Sequence, residues 1–160
     1  MLKTSRCKIS DIKKEDYEDI KKLYFNKDVR EFLGGVVDKK AYDHIFSQII
    51  TYDKNSFYWV VRYHVNDEFI GLVSLDRHHD GINTEVSYQF MPKWWGDGYG
   101  EEIIKRIINY AFEELKLTRI VAETQSANKA SCKLLKKIGM KLEQSVERFG
   151  AEQYIFSISN

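Results

Sequence analysis

Gly96, Gly98 and Gly100 fall at alternate positions in the run Met91-Pro92-Lys93-Trp94-Trp95-Gly96-Asp97-Gly98-Tyr99-Gly100-Glu101-Glu102. The run joins a strand-like stretch to a strongly periodic helix. Glycine tolerates positive φ, and without a Cβ it lets a ligand come close to the main chain. The first turn of a helix carries unpaired N–H groups and partial positive charge. A glycine turn feeding a helix start is therefore a candidate phosphate cradle. Other chemistry is poorly supported. Cys7 and Cys132 share no metal-type or C-x-x-C spacing. His78-His79 has no partner at helical ligand spacing and reads as part of a polar turn.

The elements that must position the glycine turn follow from periodicity. Ile103, Ile104, Ile107, Ile108, Ala111, Phe112 and Leu115 recur at helical spacing after the turn. Thr84–Met91 is read as the strand before it and Arg119–Thr124 as the strand after it. Strand, turn, helix and strand make a βαβ unit with a parallel pairing. Upstream, a strand is expected over Arg6–Ser10, a helix from a cap at Asp11 through Phe25, and a helix from Asp38. Ser56–Val65 and Glu68–Asp76 read as a hairpin around Asn66-Asp67. Downstream, Asn128 opens a helix that Gly139 ends, and Lys141–Arg148 and Gln153–Ser159 form a closing hairpin. The expected class is α+β (mixed α/β), within one domain over residues 1–160.

Composition narrows the function. The 160 residues carry a formal net charge of +1, so a basic nucleic-acid footprint is absent. No apolar run approaches the ~20 residues that cross a bilayer, and the N-terminus has no apolar signal core. The expectation is a cytoplasmic protein without nucleic-acid or membrane partners; oligomeric state is open. There is no G-x-x-x-x-G-K-[ST], and the glycines read G-x-G-x-G rather than G-x-G-x-x-G, so neither a P-loop nor a Rossmann site fits.

The whole pattern resembles the GNAT superfamily of acyl-CoA N-acyltransferases. The family signature [Q/R]-x-x-G-x-[G/A] matches Trp95-Gly96-Asp97-Gly98-Tyr99-Gly100, with Trp95 in the opening position. Asn128-Lys129-Ala130-Ser131, followed by Leu134-Leu135-Lys136-Lys137-Ile138-Gly139-Met140, is similar to the family's N-x-x-S…K-x-G-F segment. The Trp-Gly-x-Gly-Tyr form looks like the branch that includes ribosomal-protein N-terminal acetyltransferases. The resemblance implies a central, mostly antiparallel sheet of about six to seven strands with about four helices. It implies acetyl-CoA as co-substrate, no metal, and an amine-bearing acceptor, a small molecule or a protein N-terminus.

The resemblance also assigns roles. Gly96, Asp97, Gly98, Tyr99, Gly100 and Glu101 would cradle the diphosphate of coenzyme A. Phe90 and Met91 would offer a strand edge to the pantetheine amides. Asn128 would hold the pantetheine or the cleft, and Lys133 or Lys136 would reach the 3′-phosphate. Glu85 and Glu152 are the two candidate bases for the incoming amine. Many family members place an acidic Tyr seven residues after the motif Asn, where this chain has Leu135; Ser131, Tyr88 and Tyr99 are the remaining hydroxyls. Phe32, Tyr24 and Tyr42 are expected near the acceptor pocket. The reading is an N-acetyltransferase acting by direct attack in a ternary complex. The missing Tyr keeps a non-catalytic acyl-CoA-binding module as the alternative.

Overall fold

The computed structural model describes residues 1–51 and 54–160. Eight strands form one sheet in the order β1-β2-β3-β4-β5-β6-β8-β7: β1 Leu2–Lys3, β2 Cys7–Asp11, β3 Phe57–Tyr63, β4 Phe69–Arg77, β5 Thr84–Phe90, β6 Arg119–Gln125, β7 Lys141–Arg148 and β8 Ala151–Ser159. Five α-helices accompany them: α1 Tyr17–Tyr24, α2 Lys27–Arg30, α3 Lys39–Ile50, α4 Tyr99–Glu113 and α5 Lys129–Lys137. The mixed, mostly antiparallel class is as expected, with slightly more strands and helices. The additions are the short β1 and the single turn α2, both below the length at which periodicity gives a signal.

Side-chain alternation sorts the core onto two faces. Trp59, Val61, Val86 and Phe90 pack with Ile103, Ile104, Ile107 and Leu135 under α4 and α5. Val60 and Leu72 pack with Ile20, Leu23, Tyr42 and Phe46 under α1 and α3. Local boundaries shift where ladder bonds compete with caps. Asp11 is the last residue of β2, paired with Trp59, rather than a helix cap. The helix instead follows a 3-10 turn over Lys14–Asp16, where Asp16 Oδ2 accepts from Lys13 N at 2.8 Å. Asn26 caps α2 by accepting from Asp28 N and Val29 N, and Asp38 caps α3 as expected. Val65 lies beyond β3 and is exposed.

One feature of the sheet creates a cleft. All neighbouring pairs are antiparallel except β5 and β6. That parallel ladder registers only Thr84↔Ile120 and Glu85↔Val121. Beyond Glu85 the strands diverge, while β5 stays zipped to β4 as far as Gly71↔Phe90 and β6 to β8 as far as Gln125↔Gln153. The result is a V-shaped opening within the sheet, whose apex is Glu85.

Candidate active site

The glycine turn sits on one side of this opening. Gly98 is the N-cap of α4 with φ +83°, and it brings no side chain to accept from the first turn. The first intrahelical bond runs from Glu102 N to Gly98 O. The N–H groups of Tyr99, Gly100 and Glu101 have no acceptor among the described residues. Orphan donors at a helix N-terminus are where an anion binds. Gly100 is small for a different reason: a Cβ there would lie 3.1 Å from Leu134 Cδ2 and 3.5 Å from Phe90 Cε2. It lets α4, α5 and the end of β5 close together.

Both first-turn carboxylates are neutralised by partners. Glu101 pairs with Lys105 at 2.7 Å and Lys137 at 3.2 Å. Glu102 takes Arg6 Nε at 2.7 Å, Arg6 N at 2.9 Å and the Ser5 hydroxyl at 3.0 Å. Arg6 also lies 3.8 Å from the centre of the Tyr99 ring and donates to the Asp97 carbonyl. Burial alone would raise the Glu102 carboxyl; hydrogen bonds from Thr4, Arg6 and Ser5 overcome it and hold it at about 2. Arg6 therefore braces the turn from the bend before β2, a role with no signature in the sequence. Glu102→Ala is expected to destabilise the protein by about 2 kcal/mol, as for a lost charge-assisted hydrogen-bond set. Because the folded-state pKa is depressed, that contribution is present above the ordinary carboxylate range. It is lost as pH falls toward about 2. Urea melts of the two proteins at pH 7 and pH 3 check this: their difference shrinks at the lower pH.

At the far side of the opening stands α5. Asn128 is its N-cap, with Oδ1 accepting from Ser131 N at 3.1 Å. The Ser131 hydroxyl is 2.6 Å from the Tyr88 hydroxyl on β5, so the two bridge the V. Burial pushes the Tyr88 phenol up to about 12. Leu135 is fully buried in the core. Lys133 and Lys136 are exposed on the outer face of α5, and Lys137 is the lysine that reaches the cradle, through Glu101. Main-chain groups near the opening divide by ladder parity. Met91 N donates to Ile70 O and so faces β4. Phe90, one residue earlier, turns its main chain toward the V, where its carbonyl accepts from Trp95 Nε1 at 2.8 Å.

The face on the α1 side forms the other half of the opening. Glu85, Ser87 and Gln89 on β5 share this face with Val121, Glu123 and Gln125 on β6. Glu85 Oε2 accepts from Glu123 N at 3.2 Å, replacing the ladder bond that the divergence removes. Its other oxygen has no protein partner among the described residues. Burial pushes the Glu85 carboxyl up to about 7, with the nearby His78 and Arg148 charges limiting the rise. Glu123 is held by Arg148 at 2.9 and 3.2 Å and by His78 Nε2 at 2.7 Å. Burial works against a charged His78, but the Glu123 hydrogen bond and the Glu85 and Asp80 charges outweigh it, and its pKa is raised. His78 opens the polar β4–β5 turn as expected, its carbonyl accepting from Gly81 N at 2.9 Å, and its buried ring also joins a charge cluster.

Glu152 does not join this face. Parity along β8 puts it with Tyr154 and Phe156 on the α5 side. Its exposed carboxylate is held below the usual range by the Ser126 and Ser145 hydrogen bonds. Tyr42 is also displaced from the expected pocket: it is fully buried, and its hydroxyl donates to Tyr17 O at 2.6 Å. Tyr24 and Phe32 remain close, Phe32 through its carbonyl, which accepts from Gln125 Nε2. A surface hollow of about 380 Å³ is lined by Met91 with Asp19, Arg62, Glu68 and Lys93, and these four charges pair as Asp19–Arg62 and Glu68–Lys93. Among the described residues no cluster of His, Cys, Asp and Glu is arranged to hold a metal ion, and no helix is long and apolar enough to cross a membrane.

The sheet splits between two parallel strands, and a glycine-capped helix starts at the split. The family profile for the acetyltransferase (GNAT) domain matches residues 6–141, and the chain belongs to that family. It is similar to the uncharacterized N-acetyltransferase YoaA of Bacillus subtilis (strain 168), with 27% identity over 157 residues, 93% of this chain and 87% of the relative. Its fold is shared with spermidine N-acetyltransferase from Vibrio cholerae in complex with CoA and spermine, at TM-score 0.83 and 20% identity over 97% of this chain and 96% of the other. It is shared also with ribosomal-protein-S5-alanine acetyltransferase from Vibrio fischeri, at TM-score 0.79 and 18% identity over 99% and 96%.

Proposed function

We propose that the protein transfers the acetyl group of acetyl-CoA to a primary amine by direct attack in a ternary complex. The observation that carries this is the set of unpartnered amides at Tyr99, Gly100 and Glu101, opening onto a V whose apex holds the Glu85 carboxyl. Backbone donors there suit a diphosphate. Phe90 offers the adjoining strand edge, and Asn128 keeps a side-chain N–H₂ free to donate into the cleft after capping α5. Acetyl-CoA supplies the activated acyl group as a thioester.

The chain's own residues handle protons. An ammonium has no lone pair, so Glu85 takes a proton from the amine, directly or through one water. With its pKa at about 7, Glu85 is part-ionised at neutral pH and basic enough to accept. The amine nitrogen bonds to the acyl carbon as the carbon–sulfur bond breaks. The Tyr88–Ser131 hydroxyl pair supplies the hydrogen bond, and then the proton, that the departing sulfur needs. The chain has buried Leu135 in place of the family's usual Tyr, and this pair is the hydroxyl source bonded across the opening. Tyr88→Phe is expected to lower kcat by about 10²-fold or more with little change in KM for acetyl-CoA, the scale of a positioned general acid. Steady-state kinetics check it. The two buried, free cysteines support a reducing, cytoplasmic setting.

Thiol release from acetyl-CoA with a panel of amines tests the reading. Amine-dependent release is expected; absence of both release and CoA binding at sub-millimolar concentration overturns it. The buried Leu135 favours one second reading, a non-catalytic acyl-CoA-binding module. Tight CoA binding with no acetylation of any amine selects that module instead.

A further inference from the structure

Among the described residues, Arg30 is a partly buried cation without a counter-ion. Its guanidinium donates from Nε to Gly35 O at 2.9 Å, from Nη2 to Leu33 O at 2.7 Å and from Nη1 to the Gln89 side-chain oxygen at 3.2 Å. It also lies 4.8 Å from the centre of the Tyr24 ring. All four partners are neutral, and among the described residues no carboxylate pairs with it. Burial accordingly lowers its pKa. Arginine carries five N–H donors, so three bonds leave two unused. Withdrawing a charge from water without a partner is costly, and the loop contacts explain only part of what Arg30 offers.

Its position ties it to the acceptor floor. Gln89 follows Glu85 by four residues on the same face of β5, about 13 Å along a strand that rises ~3.3 Å per residue. Ser87, between them, is exposed. Gln125 Nε2 on β6 donates to Phe32 O at 3.2 Å, so the loop that Arg30 braces is fixed over the open end of the same floor. The diphosphate cradle lies at the start of α4, on the opposite face of the sheet, and does not supply Arg30 with a charge. At the closed end, Arg148 and His78 already neutralise Glu123, which leaves Glu85 as the unpaired acid.

We propose that the acceptor is zwitterionic: its amine meets Glu85, and a carboxylate on the same molecule, within about 13 Å, pairs with Arg30. This rests on the acetyl-transfer reading of the same cleft. A polyamine would instead place a second ammonium against a guanidinium. The test titrates CoA-saturated wild type by calorimetry with a series of ω-amino acids of increasing length, their carboxamides and the matching diamines. Thiol release from acetyl-CoA is followed in parallel. For the best chain length, the carboxylate is expected to bind on the order of ten- to a hundredfold more tightly than its carboxamide, the range for a hydrogen-bonded charge pair. In Arg30→Gln the preference disappears while carboxamide binding and CoA affinity hold. A wild type that binds carboxamide or diamine as tightly as carboxylate overturns the inference, as does a preference that survives Arg30→Gln. If the variant does not fold, the wild-type series decides. Failure of every amine to release thiol overturns the transfer reading alone, because the calorimetric preference is read without turnover.

Discussion

Glu85→Gln lowers kcat by roughly 10²–10⁴-fold, the usual contribution of a positioned general base, while the KM for acetyl-CoA is little changed. The expectation follows from where the carboxyl sits. One oxygen is fixed by Glu123 N at 3.2 Å, and the other has no partner among the described residues. Burial raises the pKa to about 7, so wild-type kcat/KM climbs with pH through about 7 and levels above it. The glutamine variant loses that limb. The same burial sets a stability effect of definite sign. A folded-state pKa raised above the ordinary carboxylate value means that the folded protein holds the proton more tightly than the unfolded chain does. Stability from this group is complete in acid and declines as pH rises through about 7. Glu85→Gln removes the penalty, so the variant melts higher than wild type at pH 8 and shows little difference at pH 4. A base bought at the cost of stability is a common property of active sites. Unchanged kcat, or an acid limb that persists in the variant, would remove Glu85 from the mechanism.

Gly98→Val is expected to raise the Kd for coenzyme A by tenfold or more. The position has φ +83°, and the nearest atom to an added Cβ is Arg6 Nη2 at 3.5 Å, an ordinary contact. Space is available; the backbone conformation is what excludes the substitution. A left-handed residue other than glycine costs roughly 1–2 kcal/mol, and β-branching makes it worse. The chain relieves that strain by turning the peptide that precedes α4, which re-aims the amides of Tyr99 and Gly100. Calorimetry with coenzyme A reads the loss. Thermal unfolding separates it from global damage, since ~1 kcal/mol shifts the Tm of a chain this size by about 2–4 °C. Wild-type affinity in a folded Gly98→Val protein would mean that the diphosphate is held elsewhere.

The two arginines show what kind of contact a sequence conceals. Arg6 braces a helix start 96 residues away in the chain, and Arg30 meets Gln89 across 59 residues. Charged side chains are scattered along the sequence with near-zero net sum, and nothing in their spacing says which will be buried together. The His78–Glu123–Arg148 cluster was hidden in the same way, joining the β4–β5 loop, β6 and the end of β7. A partial signal did exist for Glu152. Tyr154, Phe156 and Ile158 share its parity, which assigns it to the face opposite Glu85 once Phe156 is placed in the core.

The chain by itself determined the elements and their order. Local physics suffices for these: the isoleucine spacing makes α4, positive-φ glycines fix the turn before it, and Asn128 caps α5 through a bond three residues long. The same local features carried the family. Only the tertiary structure decided which carboxylate sits at the apex of the split sheet, that Tyr88 reaches Ser131, and that Arg30 has no opposite charge among the described residues. Those outcomes depend on how far β5 and β6 stay paired and which faces the helices cover. They are set by the packing of the whole sheet, where residues distant in sequence share one low-dielectric space.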